Sequence, residues 1–111
     1  EIKEYALQPL LDLEPFFWME GGIESKQAFL LVPPSHVLET YSIEVSQEDV
    51  DFLSLQNTED ALIFNIVTYG PNQTMTVNLK GPILVNRHTM MAKQVVPTNA
   101  AVLPTTFPVN N

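Results

Sequence analysis

The sequence predicts a mainly β protein, a small antiparallel and partly open β-barrel with one short helix. Short runs rich in β-branched and aromatic residues recur about every eight to twelve positions, separated by turn residues such as Gly, Pro and Asn. Eight such runs are present, which are enough strands for a small barrel. Only one stretch, after Ser46, has the cap and the spacing of a helix.

The predicted strands differ in how much of each is buried. In chain order they cover residues 5–8, 16–19, 28–32, 41–45, 61–69, 74–79, 83–86 and 92–96. Tyr41, Ile43 and Val45 alternate with polar residues, which predicts a strand with one face in solvent. Residues 62–67 are apolar nearly throughout, which predicts a central strand covered on both faces, with Phe64 in the core.

Turns and a helix connect these strands. Residues 70–73, Gly-Pro-Asn-Gln, predict a hairpin turn, and Gly81 with Pro82 predicts a break in the ladder because Pro donates no backbone hydrogen bond. Ser46 can cap a helix that ends near Leu55. The acidic residues of its first turns, where the helix dipole favours negative charge, are Glu48, Asp49 and Asp51.

Chain length and local composition predict the domain organisation. A chain of 111 residues accommodates one domain, which we predict to cover residues 1–96. Residues 97–111 contain three prolines and no charged residue. They are predicted to form an extended C-terminal arm or a frayed tail.

Composition excludes several classes of protein. An apolar fraction of 45% is that of a folding chain, and every apolar run is far below the roughly 20 residues that span a membrane as a helix. Without cysteine, disulfides, thiolate metal sites and thiol nucleophiles are excluded. We therefore expect a folded protein outside the membrane, and a reducing compartment fits it.

The charge is distributed unevenly along the chain. Residues 1–60 hold all 13 acidic residues and two basic ones, a net charge of −11, whereas residues 61–111 hold three basic residues and no acid, +3. Five Lys and Arg in a chain of net charge −8 are too few to cover a phosphate backbone, so no direct nucleic-acid binding is expected. The acidic half favours basic protein partners, or else it only keeps a small domain soluble.

Residues that could carry catalysis or bind metal do not form a known pattern. The two histidines, His36 and His88, lack the helical spacing of a zinc motif. No serine lies in the Gly-flanked elbow of a hydrolase, and the carboxylates after Ser46 lack the Gly and Glu of a calcium loop. We predict that the protein is not an enzyme and holds no metal and no cofactor.

Two blocks of the sequence resemble one known family. The first is Pro-Phe-Phe-Trp at residues 15–18 with the apolar run 28–32 and the proline after it. The second is Met-Thr-Val-Asn-Leu-Lys-Gly-Pro-Ile-Leu-Val-Asn at 75–86, followed by Lys-Gln-Val-Val at 93–96. Together they resemble the bacterial flagellar assembly factor family FliW over about residues 5–96.

The sequence departs from that family in two places. Gly81 stands where the family usually has Ala, and residues 97–111 do not match the usual ending. Family members usually have further strands before the position of Glu1, so the resemblance implies a fold without its first strands. A sheet that lacks a strand has an exposed edge, which readily pairs with another chain.

The resemblance implies a non-enzymatic, partner-switching protein of the cytoplasm with no membrane partner. Family members bind flagellin and, once flagellin is exported, bind the translational regulator CsrA and lift its repression of flagellin mRNA. CsrA must be basic to bind RNA, so an acidic partner complements it. The candidate partner-binding residues are Asn78, Lys80, Pro82 and Asn86 in the family block and Glu48, Asp49 and Asp51 in the acidic helix.

Two alternatives are open at this point. Asn78 and Asn86 can satisfy backbone groups at a bulge instead of contacting a partner. A small barrel can also enclose a flavin or another aromatic cofactor for redox chemistry, with Trp18, Phe64 and Tyr69 lining the cavity.

Overall fold

The computed structural model describes residues 5–21, 27–34, 41–71, 74–104 and 107–108. The strands in these residues are β1 (Tyr5–Pro9), β2 (Phe17–Gly21), β3 (Ala28–Val32), β4 (Ala61–Tyr69), β5 (Met75–Val77), β6 (Ile83–Asn86), β7 (Ala92–Gln94) and β8 (Phe107–Pro108). The helices are α1 (Gln47–Phe52) and two short 3-10 helices, Thr58–Asp60 and Ala100–Val102.

The predicted fold class is confirmed as a mainly antiparallel sheet with one short α-helix. The strands follow the order β1-β2-β3-β4-β5-β8, with β6 attached to β4 and β7 attached to β6. All pairs are antiparallel. Within the described residues β1, β7 and β8 each pair with a single strand, so the sheet is open and does not close into a barrel.

The central strand is β4, as its apolar sequence predicts. Residues 61–64 pair with β6, whereas residues 65–67 pair with β3 and residues 67–69 with β5. One long strand therefore belongs to two ladders that continue in different directions. Its two faces are both covered, which is why an alternation of polar and apolar residues is missing from it.

Three apolar clusters form the core. In the first, Phe64 is 5% exposed and packs edge-on against Phe17 at a centroid distance of 5.0 Å. The buried members of the second are Val32, Val67, Val77 and Leu79, and those of the third are Leu53, Leu84 and Val95. The third cluster packs the end of α1 against the ladder of β6 and β7.

The predicted hairpin and the predicted break in the ladder are both confirmed. β4 and β5 form an antiparallel pair, and the Gly70 N–H donates to the Thr74 carbonyl at 2.7 Å. β5 ends at Val77 and β6 begins at Ile83, so Gly81 and Pro82 lie between them. The middle of the turn and His36 lie outside the described residues.

The prediction of a strand at 41–45 is wrong. The Glu44 N–H donates to the Asn99 side chain at 2.9 Å, and the Glu44 carbonyl accepts from the Thr98 N–H at 2.7 Å. The Asn99 amide also donates to the Ser42 carbonyl at 3.0 Å. The alternation does place one apolar face inward, but a turn provides the backbone partners, so no strand ladder forms.

Parts of the segment after Val96 contact the sheet. Residues 107–108 form β8, which pairs with β5, and Leu103 and Phe107 pack beside the second apolar cluster. No strand is predicted there from the sequence, because a two-residue strand that contains proline has no periodic pattern.

The predicted helix and its cap are confirmed, although α1 ends earlier than expected. The Ser46 Oγ accepts from the Asp49 N–H at 3.2 Å, which satisfies one of the free donors of the first turn. The helix ends at Phe52, three residues before the predicted end at Leu55.

A left-handed residue ends α1. Ser54 has φ of 54°, and its N–H donates to the Asp51 carbonyl at 3.2 Å. The Leu55 N–H reaches back to the Val50 carbonyl at 3.0 Å, and the two bonds together form a Schellman motif. Gly usually occupies this left-handed position, and because Ser stands there instead, the sequence does not signal where the helix ends.

Candidate partner-binding surface

Asp49 is on the buried side of α1 and pairs with Lys93 of β7. Its carboxylate accepts from the Lys93 ammonium group, and Asp49 is 7% exposed. The Lys93 hydrogen bond, with a smaller contribution from Ser46, holds the pKa of Asp49 below its usual value despite burial. The same hydrogen bond raises the pKa of Lys93. Lys93 thus neutralises the charge of Asp49, and the pair fixes α1 to the sheet.

The other two acidic candidates on α1 are exposed. Glu48 and Asp51 both face solvent, and the Asp51 carboxylate accepts from the Gln47 amide at 2.8 Å, one helical turn earlier. Phe52 follows Asp51 in the sequence and is 55% exposed. The Lys93 ammonium lies 5.3 Å from the centroid of its ring. The exposed side of α1 therefore presents two carboxylates and one aromatic ring.

Asn86 is buried and links two elements. Its amide nitrogen donates to the carbonyls of Leu53 at 2.7 Å and Ser54 at 3.4 Å, at the end of α1. Its side-chain oxygen accepts from the N–H groups of His88 at 2.8 Å and Thr89 at 3.3 Å, in the turn between β6 and β7. These bonds use both polar atoms of a side chain that is 2% exposed.

The remaining residues of the family block differ in exposure. Asn78 is exposed, and its side-chain oxygen accepts from the Lys80 N–H at 2.8 Å, while its carbonyl accepts from the buried Asn65 amide at 3.1 Å. Lys80 is half-buried. Pro82 is fully buried, and its carbonyl accepts from the Val95 N–H at 2.9 Å.

The structure brings only some of these candidates together. Asn86 lies at the end of the helix that carries the acidic residues, and Lys93 joins Asp49 to β7. Among the described residues no hydrogen bond or ion pair links Asn78 or Lys80 to Glu48 or Asp51 on α1.

Sequence reasoning missed an apolar groove beside α1, with a volume of about 370 Å³. Its lining residues are Ile43, Val45, Val50, Leu55, Gln56, Asn57, Thr58, Ala61, Ile63 and Leu84. They come from the extended segment 41–45, from α1 and the loop after it, and from β4 and β6. The alternation of Ile43 and Val45 is a signal of this groove in the sequence, but on its own it predicts a strand.

One carboxylate holds the loop that forms a wall of the groove. Asp60 accepts from the N–H groups of Gln56 at 3.1 Å and Asn57 at 3.0 Å, and it contacts the His88 ring at 3.0 Å. The two backbone hydrogen bonds are the main reason that the pKa of Asp60 is lowered, and His88 adds to the effect. His88 itself is 66% exposed.

The residues of the cofactor alternative do not line the groove. Phe64 is in the first core cluster, Tyr69 is 64% exposed, and neither they nor Trp18 line the groove. The described part of the chain has no group of three or more potential metal ligands. No helix in the described ranges is long and apolar enough to cross a membrane.

Comparison with known proteins identifies the family. A family model described as FliW protein matches residues 1–108. The flagellar assembly factor FliW of Bacillus subtilis (strain 168) is 33% identical over 97 residues, which make up 86% of this chain and 68% of that protein. FliW of Natranaerobius thermophilus is 32% identical over 99 residues, 86% of this chain and 65% of that protein.

A solved structure agrees with the sequence matches. A crystal structure of the flagellar assembly factor FliW superimposes with a TM-score of 0.83 at 25% identity, over 95% of this chain and 73% of that chain. The chain spans about two thirds of the length of the two relatives, 68% and 65%. On the family model, the relatives and the shared fold, the chain belongs to the FliW family of flagellar assembly factors.

Proposed function

We propose that this chain is a non-enzymatic partner-switching factor of the cytoplasm that binds flagellin and the translational regulator CsrA in turn. While flagellin is abundant it occupies the chain, and CsrA represses flagellin mRNA. Export of flagellin frees the chain to bind CsrA and lift that repression. Within a FliW family member, the observation that carries the proposal is the set of exposed carboxylates around α1.

Charge supports a basic partner at this surface. Residues 41–63 contain six acidic residues and no Lys or Arg. Asp49 and Asp60 already pair with Lys93 and His88, and the other four acids are exposed. A protein that binds RNA carries positive charge, so these carboxylates would attract CsrA and repel the phosphates of its RNA.

The extent of burial separates candidate residues that contact a partner from those that hold the surface in place. We propose that the exposed Glu48 and Asp51 contact CsrA, and that Asn78 and Lys80 contact a protein partner. The buried candidates Asp49, Pro82 and Asn86 would hold these surfaces in place. Flagellin's ends, disordered before assembly, would fold on binding against apolar surface.

Binding measurements with the purified proteins test the proposal. We expect the chain to bind flagellin and CsrA separately, and flagellin to displace CsrA from it. The affinity for CsrA should fall steeply with salt, because exposed charges are screened beyond a Debye length of about 8 Å at physiological ionic strength. The affinity for flagellin, which rests on apolar contact, should change much less.

A charge variant tests which surface meets CsrA. Glu48→Gln with Asp51→Asn should slow association with CsrA more than it speeds dissociation, as is usual for charges at the rim of an interface. Asp12→Asn with Glu14→Gln removes the same charge from the turn between β1 and β2 and serves as the control. Circular dichroism must show α1 intact, since Glu48 also complements the helix dipole. Failure of the unmodified chain to bind either protein would refute the proposed function.

A further inference from the structure

The groove beside α1 is the open side of an otherwise buried cluster. Leu53, Leu84 and Val95 are each 1% exposed. The partly buried side chains that pack on them are Ile43, Val45, Leu55, Ala61 and Ile63, and all five line the groove. The groove volume of about 370 Å³ lies within the range of roughly 300–1,000 Å³ that is usual for binding pockets. Apolar anchors from another molecule would therefore complete this cluster.

Several backbone groups around the groove already have hydrogen-bond partners. Asp60 accepts from the N–H groups of Gln56 and Asn57, and the Leu55 N–H donates to the Val50 carbonyl. The backbone of Glu44 is also bonded, through both its N–H and its carbonyl. An occupant that satisfies its own backbone and contributes side chains, as an amphipathic helix does, fits a groove whose backbone groups are partly used already.

The segments that line the groove, residues 41–63 and β6, contain acidic residues but no Lys or Arg, although Lys93 of β7 reaches α1 and pairs with Asp49. Glu44 lies between the lining residues Ile43 and Val45, and Glu59 follows the lining residue Thr58. Two more exposed carboxylates, those of Glu48 and Asp51, lie on α1, the helix that contributes Val50 to the groove. An apolar groove formed by acidic segments complements a partner segment that is apolar on one face and rich in Lys or Arg on the other.

We infer that this groove is a docking site for a basic amphipathic helix of a partner protein. Apolar side chains of the helix enter the groove, and its Lys or Arg side chains contact the exposed carboxylates of the segments that line it. The identification of the occupant as part of a basic protein rests on the function proposed above, whereas the shape and charge of the groove do not depend on it.

A labelled peptide tests the site directly. The probe is a fluorescent amphipathic helical peptide with Leu at i, i+3, i+4 and i+7 and Lys elsewhere, titrated with the full chain by fluorescence anisotropy. A second peptide carries Glu in place of every Lys, and a third carries Ser in place of every Leu. We expect only the first to bind, because both the charge and the apolar anchors are required. Equal binding of the acidic or the Ser peptide, or no binding of the Lys peptide, would overturn the inference.

Filling the groove locates the site. Ala61→Leu adds apolar volume at the floor, and Thr58→Leu does so at an exposed lining position. Each should weaken binding of the Lys peptide about tenfold, the effect of losing roughly 1.4 kcal/mol of contact. The matched control, Ala28→Leu at an exposed position of β3, should leave binding within about twofold. If Ala61→Leu lowers the melting temperature, the Thr58→Leu variant provides the test instead. Unchanged binding of the Lys peptide to the Thr58→Leu variant would contradict the inference.

CsrA distinguishes this inference from the proposed function. If CsrA binds the unmodified chain and both groove-filling variants equally well, the proposed function stands and the groove is not the site. If CsrA does not bind the unmodified chain, but the Lys peptide does and the groove-filling variants lose that binding, the docking site stands and CsrA is not its partner.

Discussion

The side-chain amide of Asn86 donates a 2.7 Å hydrogen bond to the carbonyl of Leu53, the residue that follows the last turn of α1. The same side chain accepts from the turn after β6, so one buried residue joins the helix to the sheet. The carbonyls at a helix end lack intrahelical donors, and in the interior they need partners from elsewhere.

Replacing Asn86 tests this link. Asn86→Ala leaves buried donors and acceptors without partners, and each such group costs about 1–3 kcal/mol. Asn78→Ala, at an exposed position, removes one local hydrogen bond and should cost less than about 1 kcal/mol. Urea denaturation gives both values, and equal losses would show that Asn86 is not a buried link.

Truncating the core aromatic should be the most damaging change to β4. Phe64→Ala is expected to lower the free energy of unfolding by about 3–5 kcal/mol, because it opens a cavity against Phe17. Tyr69→Ala, on the same strand but at a 64% exposed position, should have a small effect. A melting temperature unchanged by Phe64→Ala would contradict the placement of the first cluster.

Replacing the left-handed residue Ser54 after α1 by Gly should stabilise the protein. Ser54→Gly removes a backbone cost of about 1–2 kcal/mol, offset in part by the greater freedom of Gly in the unfolded chain. We expect a net gain of up to about 1 kcal/mol, measured by urea denaturation. Ser42→Gly, in an exposed segment, should destabilise instead, and a gain of the same size there would refute the explanation.

Acid should weaken the fold through Asp49 and Asp60. Both pKa values are lowered in the folded chain, below the ordinary 3.8, so the folded state binds fewer protons than the unfolded state in this range. Their stabilisation is present above the unfolded pKa and is lost as the pH falls below about 4, through the folded values. Asp60→Asn should therefore reduce stability at pH 7 and make it depend less on pH between 5 and 2. The check is the urea midpoint at each pH, with Asp12→Asn as the control of equal charge. A pH dependence identical to that of the unmodified chain would contradict the prediction.

Local patterns predicted most of the fold. The apolar run of β4, the turn before β5 and the Ser46 cap are determined by neighbouring residues, and all three are confirmed. The segment 41–45 is not the predicted strand, because alternation indicates which side chains are buried and not which groups bond the backbone. Its partners, Thr98 and Asn99, are more than fifty residues away in sequence.

The candidate surface was less predictable for the same reason. The acidic residues of α1 are visible in the sequence, but the lysine that neutralises Asp49 lies 44 residues later. The groove forms where residues 43–63 fold around an apolar space beside Leu84 of β6, and no local pattern indicates that arrangement. Burial of Asn86 depends on the position of α1 relative to β6, and that position is a property of the folded chain.

The double role of β4 has a consequence for how the protein opens. Because β4 pairs with β6 through its first half and with β3 and β5 through its second, neither ladder can separate without disturbing the other. Fluctuations should therefore release β1, β7 and β8 first, since each pairs with one strand among the residues that the structure describes. In native-state hydrogen exchange, the amides of residues 64–67 should exchange last, at a rate governed by complete unfolding of the chain.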